Sequence, residues 1–194
     1  NFGSRNWYSE RFNGKDSMMI NTDTNLQIGC GYQQYDLLQK FLYKQSDKVT
    51  HLLNFQYSTS TDIPRYDRLT QLSGGSPKYA EWNYGPQKRL LASYNLLLSN
   101  KNLLYDRAQF IFAYQNIEES RITRKFNKEN RDHQIEQLNI LTFNADFDKE
   151  VGKHDIRYGL DIWWNDVNSS AYSEDITNNS STASDTRYPD GGST

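Results

Sequence analysis

The sequence predicts an all-β chain of antiparallel, up-and-down strands that forms a segment of a transmembrane β-barrel. Three observations carry this expectation. Apolar and polar residues alternate with period two over runs of about 10–18 residues. The connections between those runs alternate between short and long. Aromatic residues make up 14% of the chain although only 36% of it is hydrophobic, which suits strands with one greasy and one wet face.

Each run can be read in turn. Residues 35–44 carry apolar side chains on both faces and still read as a strand. In residues 49–59, Val49, His51, Leu53, Phe55 and Tyr57 share one face, while Thr50, Leu52, Asn54, Gln56 and Ser58 share the other, because successive strand side chains point to opposite sides. Residues 89–99 repeat the pattern, with Leu90, Ala92, Tyr94, Leu96 and Leu98 against Arg89, Ser93, Asn95 and Ser99; Leu91 and Leu97 are exceptions. In residues 104–115, Ala108, Phe110, Phe112 and Tyr114 oppose Arg107, Gln109 and Gln115. Leu141, Phe143, Ala145 and Phe147 then oppose Thr142, Asn144, Asp146 and Asp148. The cleanest run sets Ile156, Tyr158, Leu160, Ile162 and Trp164 against Asp155, Arg157, Gly159, Asp161 and Asn165.

Three connections are tight: Ser46-Asp47-Lys48, Asn100-Lys101-Asn102 and Glu150-Val151-Gly152-Lys153. Those between them are long, at about residues 60–87, about 120–133, and from about 168 onward. Outer-membrane barrels show this asymmetry, with short periplasmic turns and long extracellular loops. The runs also exceed the usual strand of about 5–6 residues and match the about 9–11 residues a tilted strand needs to cross the hydrocarbon layer. Tyr43, Tyr57, Tyr105, Tyr114, Tyr158, Trp163 and Trp164 stand near strand ends, where barrels carry aromatic girdles; aromatics also favour strands generally.

Composition narrows the alternatives. Asn, Gln, Ser and Thr account for 61 of 194 residues, and mean hydropathy is −0.90. A chain with this many aromatics is not a disordered one. No apolar stretch approaches the roughly 20 residues of a helical span. A net charge of −2 provides no basic nucleic-acid footprint, so no nucleic-acid partner is expected. Cys30 is alone, which leaves no internal disulfide and no Cys-based metal site. The ends, Asn1-Phe2 and the turn signal Pro189-Asp190-Gly191-Gly192 before Thr194, read as those of an excised piece of a longer protein.

No catalytic constellation emerges, and no cofactor is expected. His51, His133 and His154 have no metal-like partner at short spacing and read as structural. The Asn-X-Ser matches at Asn168, Asn178 and Asn179 read as polar loop residues. The most unusual stretch is residues 60–88, since a loop longer than about 15 residues is usually functional or disordered. Its Arg65, Tyr66, Arg68, Trp82 and Tyr84 are the candidate ligand-binding residues. The opposing reading is internal packing, with Arg65 paired to Asp67 and Tyr stacked on Arg.

Several stretches carry a family likeness. They include Asp36-Leu37-Leu38-Gln39-Lys40, Asn54-Phe55-Gln56-Tyr57-Ser58-Thr59-Ser60 and Asp62-Ile63-Pro64-Arg65-Tyr66-Asp67-Arg68-Leu69. Others are Ala80-Glu81-Trp82-Asn83-Tyr84-Gly85-Pro86-Gln87-Lys88-Arg89, Gln115-Asn116-Ile117-Glu118-Glu119-Ser120-Arg121, Arg157-Tyr158-Gly159 and Thr186-Arg187-Tyr188-Pro189-Asp190-Gly191-Gly192-Ser193. Over about residues 30–194 the chain resembles the barrel of TonB-dependent outer-membrane receptors, in the version found in Bacteroidetes. The resemblance implies a plugged barrel in the outer membrane of a Gram-negative cell that imports a scarce nutrient such as a ferric siderophore, haem, cobalamin or a glycan. It implies as partners the plug domain of the parent chain, TonB acting through parts outside this chain, the imported ligand and outer-membrane lipid. It implies no catalysis and no mapped ligand residues. On this view the chain holds about six or seven strands, without a plug or TonB box. The rival reading is a soluble extracellular β-sandwich or small barrel that binds glycans through surface aromatics.

Overall fold

The computed structural model describes residues 4–193; Asn1, Phe2 and Thr194, on which the reading of the chain ends rested, lie outside them. Strands hold 68% of the residues and helix 2%, so the chain is all-β. The elements are β1 (Trp7–Phe12), β2 (Lys15–Ile20), β3 (Gln34–Ser46), β4 (Val49–Ser60), β5 (Ile63–Pro64), the single-turn α1 (Tyr66–Leu69), β6 (Leu72–Ser73), β7 (Ser76–Pro77), β8 (Tyr79–Tyr84), β9 (Lys88–Ser99), β10 (Arg107–Lys125), β11 (Asn130–Val151), β12 (His154–Asp175), β13 (Ser180–Ala183) and β14 (Gly192–Ser193). One ten-stranded sheet runs β13-β12-β11-β10-β9-β4-β3, with β14, β8 and β5 added at its sides. Its strands pair antiparallel. The sheet is open, and it does not close into a barrel.

Register turns the alternation of each strand into rows across the sheet, because residues directly opposite each other share a face. The middle row reads Phe41, Leu53, Tyr94, Phe112, Phe143 and Ile162 across six strands. The next row toward the long loops reads Gln39, Phe55, Ala92, Tyr114, Leu141 and Trp164, and the next toward the tight turns reads Tyr43, His51, Leu96, Phe110, Ala145 and Leu160. Phe112 and Phe143 meet at 4.7 Å, and Phe147 stacks on Tyr158 at 5.0 Å. The opposite face is more polar over β10–β12, with Gln109, Asp146, Asn144 and Asp161, and more mixed over β3, β4 and β9.

Among the described residues nothing covers the apolar band. Phe41 is 60% exposed and Ile162 50%, and among the described residues no large side chain is fully buried. A soluble domain buries such a face against a second layer. Here there is one layer.

Four expectations need correction. The connection expected at about residues 120–133 is mostly strand: β10 runs to Lys125 and β11 starts at Asn130, so short and long links do not alternate strictly. The alternation signal fades there because both faces become polar, while the backbone ladder continues. The same holds after residue 168, where β12 continues to Asp175. At the other end the link expected as Asn100-Lys101-Asn102 extends to Asp106. Asn102 Oδ1 accepts the N–H groups of Leu104 and Tyr105 at 2.8 and 3.0 Å, and this side-chain turn keeps Leu104 out of the ladder. Trp163 also leaves the proposed aromatic girdle, since it pairs with Thr142 on the polar face whereas Trp164 pairs with Leu141 on the apolar one.

Gly159 shows how closely the polar face is packed. A Cβ there would lie 2.6 Å from the Ala145 carbonyl oxygen and 2.9 Å from Asp146 Oδ1. Glycine inside a strand marks such close approaches. Gly159→Ala is therefore expected to destabilise the sheet by about 1–3 kcal/mol, the usual cost of overpacking; a denaturant midpoint equal to that of the parent chain would contradict this.

Candidate functional site

The long-loop end of the sheet carries the dense side-chain chemistry, and its two faces differ. The apolar rows stop at Asn116, Asn139 and Asp166, which lie opposite one another on β10, β11 and β12. Tyr114 straddles this boundary, with its ring in the apolar row and its hydroxyl donating to Asn139 Oδ1 at 2.9 Å. Asn116 Nδ2 donates to the same oxygen at 2.8 Å. Beyond it the same face becomes ionic.

There a chain of ion pairs links distant segments. Arg124, 3% exposed, donates to Asp16 from both terminal nitrogens at 2.8 and 3.0 Å, and from Nε to Glu81 at 2.8 Å. Arg131 holds Glu81 through two donors at 2.7 and 3.0 Å and reaches Glu174 at 3.3 Å. Glu174 also bonds His133 at 3.0 Å, and that ring stacks on Tyr172. Arg11 pairs with both Asp16 and Glu129. Burial alone raises the Asp16 and Glu81 carboxyls, but hydrogen bonds from Arg124, from the Asn127 N–H and from Arg131 outweigh it and hold both below the usual carboxylate range.

The network fastens a hairpin that sequence reading left unassigned. β1 and β2 form their own two-stranded sheet, turned by Asn13 and Gly14, both with positive φ. Asn-Gly is the strongest short-range hairpin signal, so this element was legible. Its docking was not.

The five candidate residues lie on the other face, the polar one, or on the segment packed over it. Trp82 and Tyr84 pair with Thr123 and Arg121 of β10. Arg65 lies over both rings, at 5.0 Å from Trp82 and 5.4 Å from Tyr84, and donates to the Tyr84 hydroxyl at 3.1 Å. Its other donors hold Asp67, and the Asp67 carboxylate in turn raises the Arg65 pKa. Arg68 lies 5.7 Å from the Trp82 centroid. Tyr66 turns away and donates to the Ser4 carbonyl at 3.4 Å. The segment is thus internally packed, with Trp82 only 6% exposed beneath two guanidinium groups.

Beside this stack is a depression of about 550 Å³. Of the five candidates, only Arg68 and Trp82 line it. They are joined by Tyr79, Arg121, Lys125 and Gln134, none of which was among the candidates. Tyr79 reaches it through a bulge between Arg124 and Lys125 that shifts the register so that Lys125 faces Tyr79; bulges re-aim side chains in this way. Of the histidines, His51 stacks between Tyr43 and Tyr94 and bonds the Tyr94 hydroxyl at 2.7 Å. No group of three or more His, Cys, Asp or Glu among the described residues is placed to hold a metal.

Compared with known proteins, the chain matches no family model, no curated protein and no solved structure.

Proposed function

We propose that this chain is part of the barrel wall of a TonB-dependent outer-membrane receptor, in which the apolar face meets lipid and the polar face lines the transport path. The observation that carries this reading is the continuous apolar band, one layer thick and uncovered, that crosses six strands in register. Along β12 it runs from Ile156 to Trp164, nine residues, within the about 9–11 that a tilted strand needs to cross a membrane. It ends sharply at the Asn116, Asn139 and Asp166 row, after which the strands continue into the ionic clamp. That order of apolar band, polar boundary and long external extension is the plan of an outer-membrane strand.

On this reading the tight turns face the periplasm and the clamp and depression face outside. The open edges pair with further strands of a parent barrel, whose plug fills the lumen. TonB acts through the plug, and the cargo is a scarce nutrient such as a metal chelate, haem or a glycan. The chain's own residues position and bind; no catalytic step is assigned to them.

An uncovered face and open edges also set the behaviour of the 194-residue chain in solution. Exposed strand edges template association, and apolar patches beyond a few hundred Å² mark interaction surfaces. In plain buffer the chain is expected to elute as large or heterogeneous species, and in detergent micelles as a defined one. A sharp monomeric peak without detergent would overturn the membrane reading in favour of the soluble glycan-binding fold.

A further inference from the structure

We propose that the depression beside Trp82 is an anion subsite that takes a carboxylate-bearing small molecule, held by Arg68, Arg121 and Lys125. This names the ligand chemistry of the receptor reading and rests on it. The argument is a contrast between two faces of one strand end. On the face of the ionic clamp every arginine is neutralised: Arg11, Arg124 and Arg131 each hold one or more carboxylates within 3.3 Å. The three cations that line the depression, Arg68, Arg121 and Lys125, are not. Arg121 donates to a neutral amide, Gln134. Among the described residues no carboxylate comes within ion-pair distance of Arg121 or Lys125. Arg68 has Asp67 only at 3.9 Å, and its Nε is buried without an acceptor.

Two carboxylates, Asp132 and Asp185, also line the depression. Asp132 accepts from the Ser173 hydroxyl at 2.8 Å. Three cations against two anions leave the site positive, and the cations come from separate elements, α1 and β10, so they converge on a common volume. Sugar stacking is disfavoured because the Trp82 ring lies under Arg65 and Arg68 and the Tyr79 ring lies under Lys78. What remains on offer is cationic hydrogen-bond donors around a polar space, which suits carboxylate oxygens.

The test uses the whole chain in detergent micelles at low ionic strength, with citrate, inorganic phosphate and neutral glucose as probes, read by calorimetry and tryptophan emission. Citrate is expected to bind, phosphate to bind more weakly and glucose not at all. Tighter binding of phosphate than citrate would reassign the site to a phosphorylated ligand and overturn the carboxylate proposal. Lys125→Gln and Arg121→Gln are each expected to weaken citrate about tenfold, the scale of one charge-assisted hydrogen bond. Lys101→Gln, which removes the same charge at the opposite end of the sheet, is expected to leave binding unchanged. Equal responses to citrate and to chloride at matched ionic strength, or equal losses in all three variants, would overturn the subsite. Partial quenching of the emission by brominated acyl chains in Trp163→Phe, where Trp164 is the one tryptophan of the apolar band and Trp7 and Trp82 lie outside it, reports the membrane reading separately. Quenching without citrate binding sinks the subsite alone, whereas no quenching sinks the receptor reading.

Discussion

Ile162→Arg is expected to destabilise the chain in a lipid bilayer by about 2–4 kcal/mol, the cost of a basic residue on the lipid face of a barrel at mid-depth. Ile162 stands in the middle apolar row, opposite Phe143. In water the same change is expected to cost under about 0.5 kcal/mol, as for other exposed positions, because Ile162 is already 50% exposed. The difference between the two media is the diagnostic quantity. Asp161→Arg, one residue away on the opposite face, serves as the comparison and is expected to stay within about 1 kcal/mol in both media, since substitutions facing the lumen avoid the lipid cost. Denaturant unfolding from bilayers, monitored by gel mobility of unheated samples, measures both. Equal losses for the two variants in lipid would mean that the bilayer does not distinguish the faces, and the apolar band would lose its assigned role.

Asp16→Ala is expected to release the β1–β2 hairpin from the sheet. The Asp16 side chain is 1% exposed and Arg124 3%, and breaking a buried pair by removing one partner costs about 3–5 kcal/mol. Asp16 also accepts the Asn127 N–H at 2.7 Å and returns its own N–H to Asn127 Oδ1 at 2.8 Å, so the side chain is the centre of the docking contact. Hydrogen exchange should show amides of residues 7–20 losing protection while those of β10 and β11 keep theirs. Adding Arg124→Met should recover part of the loss, because removing both members of a pair leaves no orphaned charge. Unchanged protection in Asp16→Ala would disprove the latch. The pH dependence has a definite sign. A carboxyl held below its ordinary pKa stabilises fully above that ordinary value and loses its contribution as pH falls through the lower folded value. Docking should therefore persist at neutral pH and weaken only below about pH 4.

The alternation of Val49 to Tyr57 and of Ile156 to Trp164 identified strands and faces correctly, because the pleat places successive side chains on opposite sides regardless of what surrounds them. Tight turns fix the register between β3 and β4 and between β11 and β12, whereas β4 and β9 are brought into register across the long segment 61–87. Past Asn116 the same approach stopped short. Residues 118–125 and 130–138 are mostly polar, with Ile122, Ile135 and Leu138 too sparse to make a face, so no amphipathic signal distinguishes a strand from a loop there, yet cross-strand pairs such as Arg124 with Arg131 and Glu174 continue the ladder. Arg65 and Asp67 were legible as an internal pair since they are two residues apart.

By itself the sequence determined an all-β chain with one apolar and one polar face and tight turns at one end, all properties of local spacing. Only the tertiary structure decided how far the strands extend, where the hairpin docks and which cations stay without a carboxylate. Those outcomes depend on partners such as Asp16 and Arg124, 108 residues apart, whose meeting no local pattern encodes.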